Sequence, residues 1–213
     1  MARAPRHGKV PAARAPRHHN LTAARAPREL DPALAAETDL SETELSSRIA
    51  YRGRFLDLRA DEVRLPDGQI ALREYIVHPG AAIILPLFDN GDVLMERQYR
   101  YPLRQHFYEL PAGKLEPGEA SLVTAQRELR EETGYQARDW KLLARTHPCI
   151  GYSNEVIDFY LARGLDYVGA SLDQGEFLET FKLPLAQALN WIETGKITDT
   201  KTILGLLWAQ RGV

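Results

Sequence analysis

Three glutamates lie close together in the middle of this 213-residue chain. Glu128, Glu131 and Glu132 fall in a segment that predicts a helix from about Glu119 to Thr133, and Gly134 is typical of the left-handed residue that ends a helix. With 3.6 residues per turn, the three carboxylates lie within about 100° of one another. The segment therefore predicts a helix with three negative charges on one face, beside a narrow apolar stripe.

A cluster of like charges on a helix needs compensation, because each such pair destabilises the helix by about 0.2–0.5 kcal/mol. A divalent cation with oxygen ligands would supply it, and Mg²⁺ binds a few carboxylates while keeping waters or phosphate oxygens on its other positions. Arg127, one turn before Glu131, could neutralise and orient one carboxylate. The same residues also suit a solvated acidic face balanced by Arg127 and Arg130. The helix alone leaves both interpretations open.

The residues around the helix extend the pattern. Its glycine, glutamate and arginine positions are Gly113, Glu119, Arg127-Glu128-Leu129, Glu131-Glu132 and Gly134-Tyr135. This pattern resembles the Nudix box, and the one departure is Tyr135, where an aliphatic residue is usual. The resemblance implies an α/β fold, the Nudix α/β/α sandwich with a mixed sheet. It also implies metal-dependent cleavage of a nucleoside diphosphate linked to another moiety.

Motifs outside the box resemble one branch of that family, the ADP-ribose (ADP-sugar) pyrophosphatases. They are Tyr75 to Ala81, Gln98-Tyr99-Arg100, Glu109 to Gly113, Pro148, Gly151 to Glu155, and Lys201-Thr202. The resemblance covers roughly Tyr51 to Leu207. It implies that ADP-ribose is split into AMP and ribose 5-phosphate.

The resemblance also implies site residues. Metal ligands would be the Ala112 carbonyl, Glu128, Glu131 and Glu132, which would bind Mg²⁺ or Mn²⁺. Arg127 would hold a box glutamate by a salt bridge, while the box would be supported by Gly113, Glu119 and Gly134. A loop glutamate would assist the catalytic water or a metal, for which Glu176 is the candidate and Glu179 the alternative.

Three further residues are candidates for substrate binding. Arg100 suits a phosphate, and Arg73 and Phe55 match positions that serve the partner subunit's nucleoside pocket in the resembled branch. Each also has an ordinary interpretation: Arg73 as a charge on a strand surface, Arg100 as a salt-bridge partner, and Phe55 as a core residue.

The elements that must position these residues follow from the local pattern. A small antiparallel β meander is predicted up to Val77, with a turn at Pro66-Asp67-Gly68. A buried strand from Ala82 to Phe88 then forms a hairpin with Val93 to Arg100. The remaining expectations are a loop at 101 to 118, strands at Lys141 to Arg145 and Glu155 to Ala162, a mobile loop at Val168 to Thr180, and helices at Pro184 to Glu193 and Thr200 to Gln210.

The N-terminal part has a different composition. Residues 1 to 28 contain seven basic and no acidic side chains, and they repeat ARAPR three times, whereas the whole chain has a net charge of −2. Such proline-rich sequence predicts a disordered tail; a weak nucleic-acid tether is the alternative, and a transit peptide would contain serine. The predicted organisation is a tail and linker at 1–45, a meander at 46–80 for dimerisation and substrate binding, and a hydrolase domain at 81–213. The linker is expected to hold one short helix, for which Asp31-Pro32 and Ser41 to Glu44 are the two candidate starts.

Composition limits the remaining classes. Cys149 is the one cysteine, which favours a reducing compartment, and no apolar run reaches the roughly 18 residues of a membrane span. These features predict a cytoplasmic homodimer that acts on a nucleoside diphosphate sugar without membrane or nucleic-acid partners, apart from weak contacts of the tail. The alternatives are hydrolysis of another nucleotide sugar or a dinucleoside polyphosphate, and a non-catalytic RNA- or nucleotide-binding protein.

Overall fold

The computed structural model describes residues 39–54, 56–172, 175 and 177–212. The elements in this part are β1 (Thr43–Arg52), β2 (Asp57–Arg64), β3 (Ile70–Val77), β4 (Ala81–Pro86), β5 (Asp92–Arg100), β6 (Gln105–Glu109), β7 (Ala112–Lys114), α1 (Ser121–Thr133), β8 (Tyr135–Thr146), β9 (Ile157–Tyr167), β10 (Leu178–Pro184), α2 (Leu185–Glu193) and α3 (Thr200–Gln210). The longest of these helices has 13 residues, and none is long and apolar enough to cross a membrane.

The first three strands form an antiparallel meander, as predicted, in the order β1-β2-β3, but its first strand was not predicted and begins at Thr43, inside the expected linker. The expected turn lies between β2 and β3, where Gly68 adopts a φ of 86° and the Asp67 carboxylate accepts the Gln69 N–H. The candidate helix start at Ser41 is wrong, because the segment pairs with β2 from Thr43 onward, and the candidate start at Asp31 lies outside the described residues. Local composition suggested a linker there, but hydrogen bonding to a strand distant in sequence determines the conformation.

The core sheet has four strands in the order β7-β4-β9-β8, with β4 and β9 parallel. Residues of β4 are buried on both faces, which explains its continuous apolar sequence. Ala82 and Ile84 pack in a cluster with Ala125 and Leu129 of α1. On the opposite face Ile83 and Leu85 pack in a second cluster with Leu206 and Ala209 of α3. The sheet therefore lies between helices, and the expected α/β/α arrangement is confirmed.

A second sheet joins three antiparallel strands in the order β10-β5-β6. The predicted hairpin of β4 with β5 is therefore wrong: the two strands lie in different sheets, and an isolated bridge joins Leu87 to Val93. Two loop predictions are corrected here. Residues 101 to 118 contain β6 and β7, and the end of the expected loop at Val168 to Thr180 belongs to β10, which pairs with β5. β8 also begins at Tyr135, earlier than expected. These strands are short or polar, so their sequences lack the alternation that marks a half-buried strand, and their neighbours hold them in place.

Candidate active site

Helix α1 is fixed at both ends. Near its start the Ser121 hydroxyl donates to Asp158 at 2.7 Å and lies 2.8 Å from the Tyr160 hydroxyl oxygen. At its end Gly134 has a φ of 75°, as predicted, and its N–H donates to the Arg130 carbonyl. Leu129, in the middle, is fully buried. The acidic face of α1 is therefore held in one orientation toward the core sheet.

Arg127 connects three of the box carboxylates. Its Nη1 lies 2.8 Å from Glu128 Oε1 and 3.1 Å from Glu131 Oε2. Its Nε and Nη2 both donate to Glu119 at 3.1 Å, and Nη2 also donates to the Lys114 carbonyl at 3.3 Å. One guanidinium thus orients the acidic cluster and ties it to the loop that precedes α1.

Glu119 is engaged on all sides by donors. In addition to Arg127, the Thr124 hydroxyl donates at 2.8 Å and the Glu116 N–H at 3.1 Å. The hydrogen bonds from Arg127 are the main reason that the pKa of Glu119 is lowered to about 2. The carboxylate joins the loop to the first turns of α1, which fits the expected role of supporting the box.

Replacing Glu119 by glutamine should flatten the acid dependence of stability. Because the pKa of Glu119 falls from 4.5 to about 2 on folding, its stabilising effect is complete above pH 4.5 and is lost as the pH falls through 2. We expect Glu119→Gln to cost about 1–2 kcal/mol at neutral pH, a value reduced for solvent screening, and the difference from the wild type to shrink toward pH 2. Urea unfolding of both proteins between pH 2 and pH 7 measures this difference in stability. The exposed Glu116→Gln variant is the control, and a constant difference at all pH values would contradict the prediction.

Glu128 and Glu132 meet the strand β7 at the base of a cleft. Glu132 is only 4% exposed, and its carboxylate accepts the Ala112 N–H at 3.2 Å. A Cβ atom on Gly113 would lie 1.8 Å from Glu128 Oε1, so a glycine is required for this approach. The cleft has a volume of about 860 Å³, and Ala112, Gly113, Glu128 and Glu132 line it. Sequence-predicted metal ligands are therefore brought together here.

The chemistry of these donors fits a magnesium ion. Two carboxylates and a backbone carbonyl are hard oxygen ligands, and a phosphate substrate and waters could complete the coordination. Within the described ranges, no cluster of three or more His, Cys, Asp or Glu side chains is arranged around one point. Arg127 holds Glu128 and Glu131, and Glu131 lines a different cavity of about 470 Å³ together with Arg127.

Arg100 also lines the cleft, where it forms a salt bridge with Glu109. Its Nε donates to Glu109 Oε1 at 2.7 Å and its Nη2 to Glu109 Oε2 at 2.9 Å. Asp199 and Lys201 of the α3 N-terminal turn line the same region. No role was predicted from the sequence for Glu109, Asp199 or Lys201. Glu109 and Lys201 lie inside motifs that the sequence showed. Asp199 stands directly before the predicted helix that starts at Thr200, a position typical of a helix N-cap.

The other end of the cleft is lined by His78, Cys149, Tyr152 and Glu155. Nδ1 of His78 lies 3.6 Å from Glu155 Oε1 and accepts the Gly80 N–H at 3.2 Å. This acceptor role makes His78 Nδ1 part of the local backbone structure.

Other candidates lie elsewhere. Arg73 is on β3 and makes a salt bridge with Glu42, away from the cleft residues of this chain. Glu179 is on β10, bonds to Arg97 at 2.9 Å and lines a third cavity of about 360 Å³. Phe55 and Glu176 lie outside the described residues, so their predicted roles stay predictions.

Comparisons with known proteins match nearly all of the described part. Residues 77–203 match the family described as NUDIX domain, and residues 42–76 match the nucleoside diphosphate sugar hydrolase N-terminal domain. The methanol dehydrogenase activator of Bacillus methanolicus is 39% identical over 79% of this chain and 92% of its own length. Proteins named ADP-ribose pyrophosphatase are similar as well. The one from Bacillus subtilis (strain 168) is 35% identical over 80% of this chain and 94% of its own, and the one from Mycobacterium tuberculosis is 39% identical over 76% and 80%.

A solved structure described as an ADP compounds hydrolase has a similar fold. Its TM-score is 0.74 at 22% identity, and the match covers 82% of this chain and 95% of that chain. At this identity the likeness shows that the fold is shared. The domain matches also meet at the end of β3, where the meander gives way to the core sheet.

Proposed function

Because this chain belongs to the NUDIX domain family, we propose that it hydrolyses the diphosphate bond of ADP-ribose, and of related ADP-sugars, to AMP and a sugar phosphate. The observation that carries the proposal is the cleft in which Glu128, Glu132 and the Ala112 backbone face the same space as Arg100. Relatives named ADP-ribose pyrophosphatase support the substrate.

A divalent metal is part of the proposal. Mg²⁺, or Mn²⁺, would be held by the Ala112 carbonyl, Glu128 and Glu132, with Glu131 as a further ligand. When bound, it supplies positive charge to the phosphate oxygens and makes a water more acidic. The chain's own contribution is to keep the oxygen ligands in place, since Arg127 orients Glu128 and Glu131 and the Ala112 N–H orients Glu132.

Arg100 is the proposed phosphate contact. Two of its nitrogens bind Glu109, and because a guanidinium has five N–H donors it can also donate to a phosphate oxygen. Because Arg100 lines the same cleft as Glu128 and Glu132, a bound diphosphate would contact both a cationic side chain and the proposed metal ligands. The substrate would then be oriented by charge from both sides.

A substrate panel tests the function. Purified protein with Mg²⁺ is incubated with ADP-ribose, ADP-glucose, GDP-mannose and diadenosine tetraphosphate, and products are separated by chromatography. We expect ADP-ribose to give AMP and ribose 5-phosphate, with no turnover after chelation of the metal. Preference for GDP-mannose or the dinucleotide would favour the alternative hydrolase specificity. If the folded protein hydrolysed none of these compounds, the proposal that it is an enzyme would be contradicted, and a nucleotide-binding protein would be favoured.

We also propose that the protein is a homodimer that uses the meander as its interface. Every residue of β1 is exposed in the single chain. Large apolar side chains on the meander are exposed too: Leu45, Ile49, Tyr51, Ile70 and Leu72. Burying them against a second copy would stabilise the dimer and bring Arg73 and Phe55 toward the partner's cleft.

Sedimentation velocity tests the dimer. The full chain has a mass of 24.0 kDa, so a species of twice that mass is expected at micromolar concentration. Replacing Ile49 by aspartate should shift the equilibrium toward the monomer and reduce activity, whereas the exposed Val123→Asp variant on α1 should leave the mass unchanged. If the wild type were monomeric and fully active, a site to which both subunits contribute would be ruled out.

Two finer assignments belong to the same proposal. Glu176 would assist the water or a metal, and a Glu176→Gln variant with full activity next to an inactive Glu179→Gln would move the role to Glu179. We place the protein in the cytoplasm, a location supported by its single cysteine, Cys149.

A further inference from the structure

The first turn of α3 carries an unusual concentration of hydrogen bonds at the cleft. Asp199 caps the helix: one carboxylate oxygen accepts the Thr202 N–H at 3.0 Å, the Thr202 hydroxyl at 2.7 Å and Lys201 Nζ at 2.9 Å. Thr202 is fully buried and the Lys201 side chain is 21% exposed. The lysine therefore lies back along the start of its own helix at the wall of the cleft.

Lys201 also binds Glu109, the carboxylate that holds Arg100. The side chain of Glu109 is 3% exposed, and it accepts hydrogen bonds from Lys201 Nζ and from two nitrogens of Arg100. Burial alone would raise the pKa of Glu109, but the bonds and charges of Arg100 and Lys201 outweigh it and the pKa is lowered. Glu109 is thus an anion shared between two cations.

The same helical turn holds the loop that leads to the metal ligands. The Thr202 hydroxyl accepts the Leu110 N–H at 2.9 Å, and the next residue, Pro111, accepts the Ile84 N–H at 2.9 Å through its carbonyl. Leu110 is itself fully buried. Glu109 therefore has a fixed backbone, and the position of its carboxylate depends on the side chains that bind it.

Charge balance suggests what Lys201 contributes. Arg100, Lys201, Glu109 and Asp199 are joined by hydrogen bonds into a group of two cations and two anions, and the charges of Glu96 and Glu132 also act on Arg100. Without Lys201, Arg100 would be the one partner left for Glu109 among these four, and the group would carry a net negative charge where the substrate's phosphates are proposed to bind. With Lys201 present, Glu109 is shared, so the guanidinium stays oriented while part of its charge remains available to a phosphate.

We propose that Lys201 is a positioning residue for substrate binding: by sharing Glu109, it keeps the Arg100 guanidinium directed into the cleft and available to a diphosphate. This inference rests on the proposed function, because it takes Arg100 as a phosphate contact. It differs from direct contact between Lys201 and the substrate, since it requires that the effect of Lys201 passes through Arg100.

A double-mutant cycle tests the inference. KM and kcat for ADP-ribose with Mg²⁺ are measured for the wild type, Lys201→Met, Arg100→Ala and the double variant, and the dissociation constant of α,β-methylene ADP-ribose is measured by calorimetry. Removing a residue that orients a binding group typically lowers affinity or activity by about 10- to 100-fold. We therefore expect Lys201→Met to raise KM and the dissociation constant about tenfold, while kcat changes less. In the Arg100→Ala background the same substitution should have almost no effect.

Controls separate the possible outcomes. Lys201→Arg should restore most of the affinity, and Lys141→Met, an exposed lysine on β8, should have no effect. Should Lys201→Met fail to fold, Lys201→Gln replaces it in the cycle. Equal effects of the substitution with and without Arg100 would overturn the inference and indicate direct contact. A wild type that binds the analogue but hydrolyses nothing would contradict the proposed function while the binding cycle still decides the inference, and a wild type that does neither would contradict both.

Discussion

Replacing Glu132 by glutamine is expected to lower kcat by about 10²- to 10³-fold. Glutamine has the same shape and can still accept the Ala112 N–H, so the buried site should keep its structure. It lacks the negative charge that the proposed metal needs. Metal stabilisation of phosphate charge is worth several kcal/mol, and each 1.36 kcal/mol is a factor of ten in rate.

Steady-state kinetics with a Mg²⁺ titration would measure this loss, together with the melting temperature. The matched control is Glu193→Gln, which removes an exposed carboxylate at the end of α2, and it should retain wild-type kinetics. If Glu132→Gln kept more than a tenth of the wild-type kcat with a normal melting temperature, Glu132 would not be a metal ligand.

Replacing Gly113 by alanine should have an effect of similar size for a steric reason. The new Cβ would lie 1.8 Å from Glu128 Oε1 and 1.9 Å from its Cδ, so the carboxylate has to leave its place. Gly113 also pairs with Ala82 in the sheet, which limits how far the backbone can shift. We expect activity to fall about 10²-fold and unfolding free energy by about 1–3 kcal/mol, the usual cost of an overpacked site.

The test compares kcat/KM, apparent Mg²⁺ affinity and urea unfolding for Gly113→Ala with Gly151→Ala. Gly151 has open space where its Cβ would be, so its substitution is a control for the loss of a glycine. Rescue of Gly113→Ala by adding Glu128→Asp, which shortens the displaced side chain, would support the steric cause. Weakened Mg²⁺ binding is essential to the interpretation, and unchanged binding would contradict it.

Much of the fold followed from local pattern. The continuous apolar run of β4, the turn and strand β5 that follow it, helix α1 and helix α3 were predicted within a few residues because each shows a clear periodicity or a strong turn. The predicted pairing of β4 with β5 was wrong, because the two strands belong to different sheets. β1, β6 and β10 were missed. Their sequences are polar or short, and pairing with strands elsewhere in the chain stabilises them, as β10 does along β5.

The candidate site divides in the same way. The contact of Arg127 with Glu131 joins residues four apart on a helix, so helical geometry predicts it. The contact of Arg127 with Glu128 joins adjacent residues, which do not share a helix face, and only the structure shows it. The pairing of Arg100 with Glu109 needed the register of β5 with β6, and that of Lys201 with Glu109 joins residues 92 positions apart. A motif could mark these residues but could not show that they touch.

The amino-acid sequence by itself determined the acidic face of α1, because that face depends on spacing within a single helix, and its motifs carried the resemblance that indicated the family and Gly113. The steric need for that glycine comes from the approach of Glu128 in the folded chain. Only the tertiary structure decided that Arg100 shares Glu109 with Lys201, and that the meander leaves an apolar surface exposed. The physical reason is that strand register and helix packing bring distant residues together through many weak contacts, none of which has a local signature.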